Sequence, residues 1–175
     1  MKRLIILLMV VCLSFVLFGC SNDKNGGADN NISNTSSDLN GENALPLISS
    51  EKGYSIRLNT ETFEYKAGDK DVYSAKNSNA FLEAYLSEGK TVDTTLDEIT
   101  TKLSGEQFAL SKSESIAVGS EFYTARYFTA EKAGEKREYY LIPAQNECLI
   151  LVFSFGDNAE DNAALSSALE TLMID

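Results

Sequence analysis

The sequence predicts an α+β domain in which an antiparallel sheet packs against helices. Three observations carry this expectation. Residues 108–155 alternate apolar stretches with turn-forming ones, as a β-meander does. Within them Leu149-Ile150-Leu151-Val152-Phe153 is apolar without interruption, the pattern of a strand covered on both faces. The closing segment sets Leu165, Ala168, Leu169, Leu172 and Met173 at i, i+3, i+4, i+7 and i+8, the stripe of a helix lying on a sheet.

The chain opens differently. Met1-Lys2-Arg3 is a short positive segment, and Leu4 to Phe18 is apolar except for Ser14. Fifteen residues make a helix of about 22 Å, whereas a membrane span needs about 20 residues. The run therefore suits a secretory signal better than a transmembrane helix. Leu17-Phe18-Gly19-Cys20 follows and resembles the lipobox of bacterial lipoproteins. Leu17, Gly19 and Cys20 match it, while Phe18 is bulkier than the usual residue at its position. The resemblance implies a signal peptide over 1–19, cleavage between Gly19 and Cys20, and a diacylglyceryl group on the Cys20 thiol. A further N-acyl chain, palmitate or similar, is optional. Cys12 is a poor alternative because Val10 and Val11 precede it. Two acyl chains anchor firmly, where one binds only marginally.

Residues 20–45 then read as a tether. They are rich in Asn, Ser, Asp and Gly, and their few apolar residues show no period. Such a stretch cannot bury enough surface to offset its chain entropy. About 25 residues of this kind reach roughly 25–30 Å, enough to lift a folded domain off a membrane.

The domain is expected over 46–175, about 130 residues, a size that folds without disulfides or metals. Tyr54–Leu58, Phe63–Tyr65 and Val72–Ala75 read as strands, with turns at Gly68-Asp69 and Asp69-Lys70-Asp71. Two helices are expected next. Asn79–Ser87 places Phe81, Leu82, Tyr85 and Leu86 on one stripe. Asp93–Leu103 does so with Leu96, Ile99 and Leu103, and Asp93 or Thr94 serves as its cap. Phe108–Leu110, Ser115–Val118, Glu121–Ala130, Lys136–Ile142 and Cys148–Phe155 form the meander, with a hairpin turn at Glu131–Gly134. Asp157 and Glu160 form a capping-box pattern for the final helix.

This order resembles the small PsbP-like domain, also seen in DcrB-type envelope lipoproteins. The matching residues are Gly53-Tyr54-Ser55-Ile56 at the start, Tyr123-Thr124-Ala125-Arg126-Tyr127 in the meander, Leu149–Phe155, and the closing Leu172-Met173-Ile174. The resemblance covers about 46–175. It implies an α/β/α sandwich that acts as a binding or adaptor module and shares no catalytic residues. Asn59-Thr60-Glu61-Thr62-Phe63 departs from it, lacking the proline that many members carry there.

Composition excludes several functions. There are 15 basic and 26 acidic residues, net −11. Lys2 and Arg3 are the only charges before Cys20, so the segment beyond them has 13 against 26, net −13. Nucleic acid and a broad electrostatic grip on anionic lipid are both disfavoured. The absence of histidine removes the usual triads and the commonest zinc ligand. Cys148, the lone thiol after Cys20, reads as a packed residue. Asp157–Asn162 lacks the glycine and the bidentate glutamate of a calcium loop. Ser21–Lys24 and Ser49–Lys52 match a Ser-x-x-Lys pattern without its companion motifs. No catalytic residue, metal site or soluble cofactor is expected.

What remains is aromatic. Phe122, Tyr123, Tyr127 and Phe128 lie in one expected strand, with Tyr139 and Tyr140 across the hairpin. Alternation puts Tyr123 with Tyr127 on one face and Phe122 with Phe128 on the other, so one pair is expected in the core and the other on a binding surface. The expected function is a non-enzymatic binding or assembly module of the cell envelope. It is held outside the membrane by lipid and has an envelope protein as its candidate partner. An extracytoplasmic enzyme and a passive structural protein are the alternatives. Cys20→Ala should abolish labelling by a radioactive or clickable fatty acid and release the protein from the membrane fraction. Unchanged labelling and retention would overturn the lipoprotein reading.

Overall fold

The computed structural model describes residues 45–175. The signal segment, Gly19, Cys20 and the tether up to residue 44 lie outside the described residues. No helix among the described residues is long and apolar enough to cross a membrane.

The fold is α+β. β1 (Leu47–Ser50) and β2 (Tyr54–Arg57) make a hairpin, and β11 (Met173–Ile174) joins the other side of β2. The larger sheet is antiparallel throughout. It runs β3 (Phe63–Lys66), β4 (Asp71–Ala75), β5 (Phe81–Ser87), β10 (Glu147–Ser154), β9 (Glu135–Ala144), β8 (Tyr123–Lys132) and β6 (Ala109–Leu110). β7 (Glu114–Val118) also pairs with β8, beside the end not taken by β6. Two helices, α1 (Val92–Gly105) and α2 (Ala159–Glu170), cover it.

β10 explains the layers. Cys148, Ile150 and Val152 point to the face covered by α1, where they meet Leu103, Phe128, Tyr139 and Leu141. Leu149, Leu151 and Phe153 point to the opposite face, where they meet the small sheet through Tyr54, Ile56 and Leu58 and α2 through Leu165 and Ala168. The uninterrupted apolar run is thus a strand buried on both sides, as its sequence implied.

The main correction falls on Asn79–Ser87. Phe81–Ser87 is strand β5, held between β4 and β10 with Leu82 opposite Phe153 and Tyr73. Leu82 and Ala84 are buried together with the α2-side core. Apolar residues at i, i+1, i+4 and i+5 fit either period, and two flanking strands settle the choice. Smaller corrections concern the helix ends. The cap of α1 is Thr91, whose hydroxyl accepts from Thr94 N. The cap of α2 is Asn158, not Asp157; its side chain accepts from Glu160 N and Asp161 N. The last helix stops at Glu170, so Met173 and Ile174 are strand. The turn expected through Asp71 ends one residue earlier, because Asp71 opens β4.

Asp71 is 1% exposed and joins the two sheets. It accepts from Ser50 Oγ, from Tyr54 OH at 2.9 Å and from Lys52 Nζ at 3.0 Å. Tyr54 OH lies 3.0 Å from Tyr73 OH, and Lys52 also donates to the Gly68 carbonyl. Burial pushes the Asp71 carboxyl up. The hydrogen bonds from Ser50, Lys52 and Tyr54 and the Lys52 charge outweigh burial and hold it below the ordinary 3.8.

A depressed folded pKa gives stability that is complete above the ordinary aspartate range and is lost as pH falls through the folded value. Asp71→Ala should cost about 1–3 kcal/mol near neutrality, because the buried Ser50 and Tyr54 hydroxyls lose their acceptor. Urea titrations of parent and variant should converge in acid. An equal gap at about pH 7 and about pH 2 would show that the carboxylate charge contributes nothing.

Candidate functional site

The site is an apolar groove of about 400 Å³ on the α2 side of the sheet, at the β7 edge. Ile116, Ala117 and Val118 line it from β7, Gly119, Ser120 and Phe122 from the following loop, Tyr140 from β9, and Leu169 and Glu170 from the end of α2.

The loop is held by the C-terminal segment. Ser120 donates from both its backbone N and its Oγ to the Leu172 carbonyl, at 3.0 and 3.2 Å. Gly119 has φ +76°, and a Cβ there would stand 2.6 Å from the same carbonyl. Only glycine allows that approach. Phe122 N then donates to Gly119 O at 3.3 Å. Phe122 itself has φ +57°, a left-handed conformation that bulky residues seldom adopt.

This conformation corrects the expected pairing of Phe122 with Phe128. β8 begins at Tyr123, so Phe122 lies outside the strand alternation. It joins Ile116, Val118, Tyr140 and Leu169 at the groove and is 79% exposed. Phe128 is 0% exposed on the α1 side, stacked on Tyr139 with ring centres 4.8 Å apart. A left-handed turn residue leaves no signature in a sequence when it is a phenylalanine.

Tyr123 and Tyr127 do share a face, and both are half-buried against the α2-side core. Tyr123 acts as a latch: its hydroxyl accepts from Ile174 N at 3.0 Å and donates to Glu121 at 2.8 Å. Tyr127 packs on Tyr140 at 5.1 Å, and Tyr140 meets the edge of Phe153 at 5.4 Å. The Tyr140 hydroxyl donates to Glu138 at 2.8 Å, and burial, with Glu138 beside it, raises its pKa well above the ordinary range. Tyr140, which lines the groove, is therefore fixed in a stack with Tyr127 and Phe153. Phe122 is the large apolar side chain that stands free of it.

The rim is acidic. Glu170 lines the groove, Glu121 lies between two lining residues, and Glu114 shares the face of Ile116. No ion pair among the described residues involves any of the three.

Two other features are inward-looking. Cys148 is 0% exposed, and burial raises its thiol to about 11, so the thiolate is scarce near neutral pH. Lys52, from the Ser-x-x-Lys match at Ser49, is committed to Asp71 and Gly68. Among the described residues no group of three or more Asp, Glu or Cys side chains is placed to hold a metal ion. A scan against protein-family models finds no match, and a search of curated proteins finds no similar sequence.

Truncating the two phenylalanines should separate surface from core. Phe128→Ala should cost about 3–5 kcal/mol by leaving a cavity, whereas Phe122→Ala should stay within about 0.5 kcal/mol. Denaturant unfolding measures both, and a similar loss in the two variants would contradict the assignment.

Proposed function

We propose that this chain is a lipid-anchored protein of the bacterial envelope whose domain binds a partner through the groove beside Phe122, without catalysing a reaction. The observation that carries the proposal is Phe122: a phenylalanine 79% exposed at the mouth of an apolar groove. Ordinary folding leaves such a ring inside, and the left-handed backbone that presents it costs roughly 1–2 kcal/mol. Strain of this kind persists where the surrounding structure holds it, often for function.

The anchor rests on the positive start, the apolar run and the lipobox-like Leu17–Cys20. The acidic surface argues against nucleic acid as partner. The three layers, a helix, an antiparallel sheet, and a helix with a small sheet, favour the PsbP-like resemblance. The strand at Phe81–Ser87 weighs against it, since the resemblance implies a helix there.

Site-specific photo-crosslinking tests the binding role. A benzophenone side chain at position 122 of the membrane-attached chain should give discrete adducts in intact cells. The same group at Thr101, exposed on α1, serves as the control. If position 122 yields no more than position 101, the groove is not a binding surface.

A further inference from the structure

The open groove lies next to an open strand. β7 pairs with β8 from Glu114 opposite Tyr127 to Val118 opposite Tyr123. Its other side carries no strand among the described residues. An edge of this kind presents backbone N–H and C=O groups at regular spacing, a template for one more strand. Proteins usually guard such edges with lysine, proline or a bulge. β7, Glu-Ser-Ile-Ala-Val, has neither lysine nor proline. The opposite edge of the same sheet, β3, alternates charge as Glu64 and Lys66.

Resting on the binding role proposed above, we infer that the occupant is an extended peptide segment of another protein, apolar at alternate positions and flanked by lysine or arginine, which adds to β7 as an extra strand. Main-chain bonds to the edge would hold the segment. The period of two would turn alternate side chains over Ile116 and Val118, toward Phe122 and Leu169. The flanks follow from charge. Glu170 lines the groove, Glu121 lies between two of its lining residues and Glu114 shares the strand face of Ile116, none with an ion-pair partner among the described residues. A second copy of this chain would bring the same three carboxylates against them, on a protein of net charge −11. Opposed like charges at an interface disfavour that partner. A basic segment meets three carboxylates without ion-pair partners among the described residues and gains from their field.

The test uses the full chain in mild detergent on an array of peptides of about nine residues, the length of a strand and its flanks. One arm carries alternating apolar cores flanked by Lys or Arg. The second carries the same cores flanked by Asp or Glu. The third carries basic flanks with alternate core amides N-methylated, so that strand pairing is blocked. The first arm should bind saturably, and the other two at least about tenfold more weakly. Phe122→Ala should lose about tenfold on the first arm, the size of a central anchor. The triple change Glu114→Gln, Glu121→Gln and Glu170→Gln should flatten its salt dependence.

Equal binding of acidic and basic arms, equal binding of methylated peptides, or no arm exceeding the Phe122→Ala background would overturn the inference. So would self-association in sedimentation that Phe122→Ala abolishes, or adducts from position 122 that map to residues 21–44 of the same chain. Failure here with partner adducts intact at position 122 removes only the peptide mode. Loss of those adducts removes the binding role itself.

Discussion

The fold depends on covering one strand twice. Seven consecutive residues of β10, Cys148 through Ser154, are buried. A strand in that position needs neighbours on both edges and a layer on both faces. β5 and β9 supply the edges. α1 covers the face of Ile150 and Val152, and α2 with the small sheet covers that of Leu149, Leu151 and Phe153. The rest of the domain can be understood as what it takes to bring those covers into place. α1 follows β5 directly, after Gly89, and α2 follows β10 after Gly156. The edges of β10 are thus its hydrogen-bonded neighbours, α2 is next to it in sequence, and α1 is next in sequence to its neighbour β5.

Polar contacts fix the small sheet. Asp71 ties it to β4 through Ser50, Lys52 and Tyr54. At its other side Tyr123 takes the Ile174 N–H, and Ser120 takes the Leu172 carbonyl. The second set of contacts has a by-product. Pulling the β7–β8 loop onto the end of α2 requires Gly119 at its close approach, and the chain then re-enters β8 through a left-handed Phe122. The exposed ring is set by contacts made by its neighbours rather than by its own packing, so the side chain is free to serve a purpose other than stability.

This division explains what could be read from the sequence. β10, the meander and the helices α1 and α2 are legible because one period holds through most of each pattern, although the stripe of α2 runs on past Glu170 into β11. β5 is not, because Phe81, Leu82, Tyr85 and Leu86 suit a strand or a helix, and only the pairing with β4 and β10 distinguishes them. β1 is not legible because Leu47-Ile48-Ser49-Ser50 shows no alternation, and β11 is not, because Met173 continues the stripe of the preceding helix. For the site, the aromatic cluster was visible and Tyr123 and Tyr127 do share a face. The exposed member was misplaced because strand alternation was carried one residue too far. Asp71 looked like a turn residue because nothing local shows that Ser50 and Tyr54, far upstream, converge on it.

The two ends of the large sheet differ in a way that bears on function. At the β3 end, Tyr65 stacks on Tyr73 at 4.7 Å, Lys70 pairs with Glu83, and the Asp71 network ties β4 to the small sheet. Charges alternate along the outer strand, which discourages another chain from adding there. At the β7 end, the strand carries one charge, the adjoining groove is apolar, and Glu114, Glu121 and Glu170 have no ion-pair partner among the described residues. If acidity served solubility alone, both ends would be guarded alike. Their asymmetry suits a domain that accepts a strand at one edge and refuses it at the other. Such a domain can add a partner without adding itself, because the edge that is open carries the charge that a second copy would also bring.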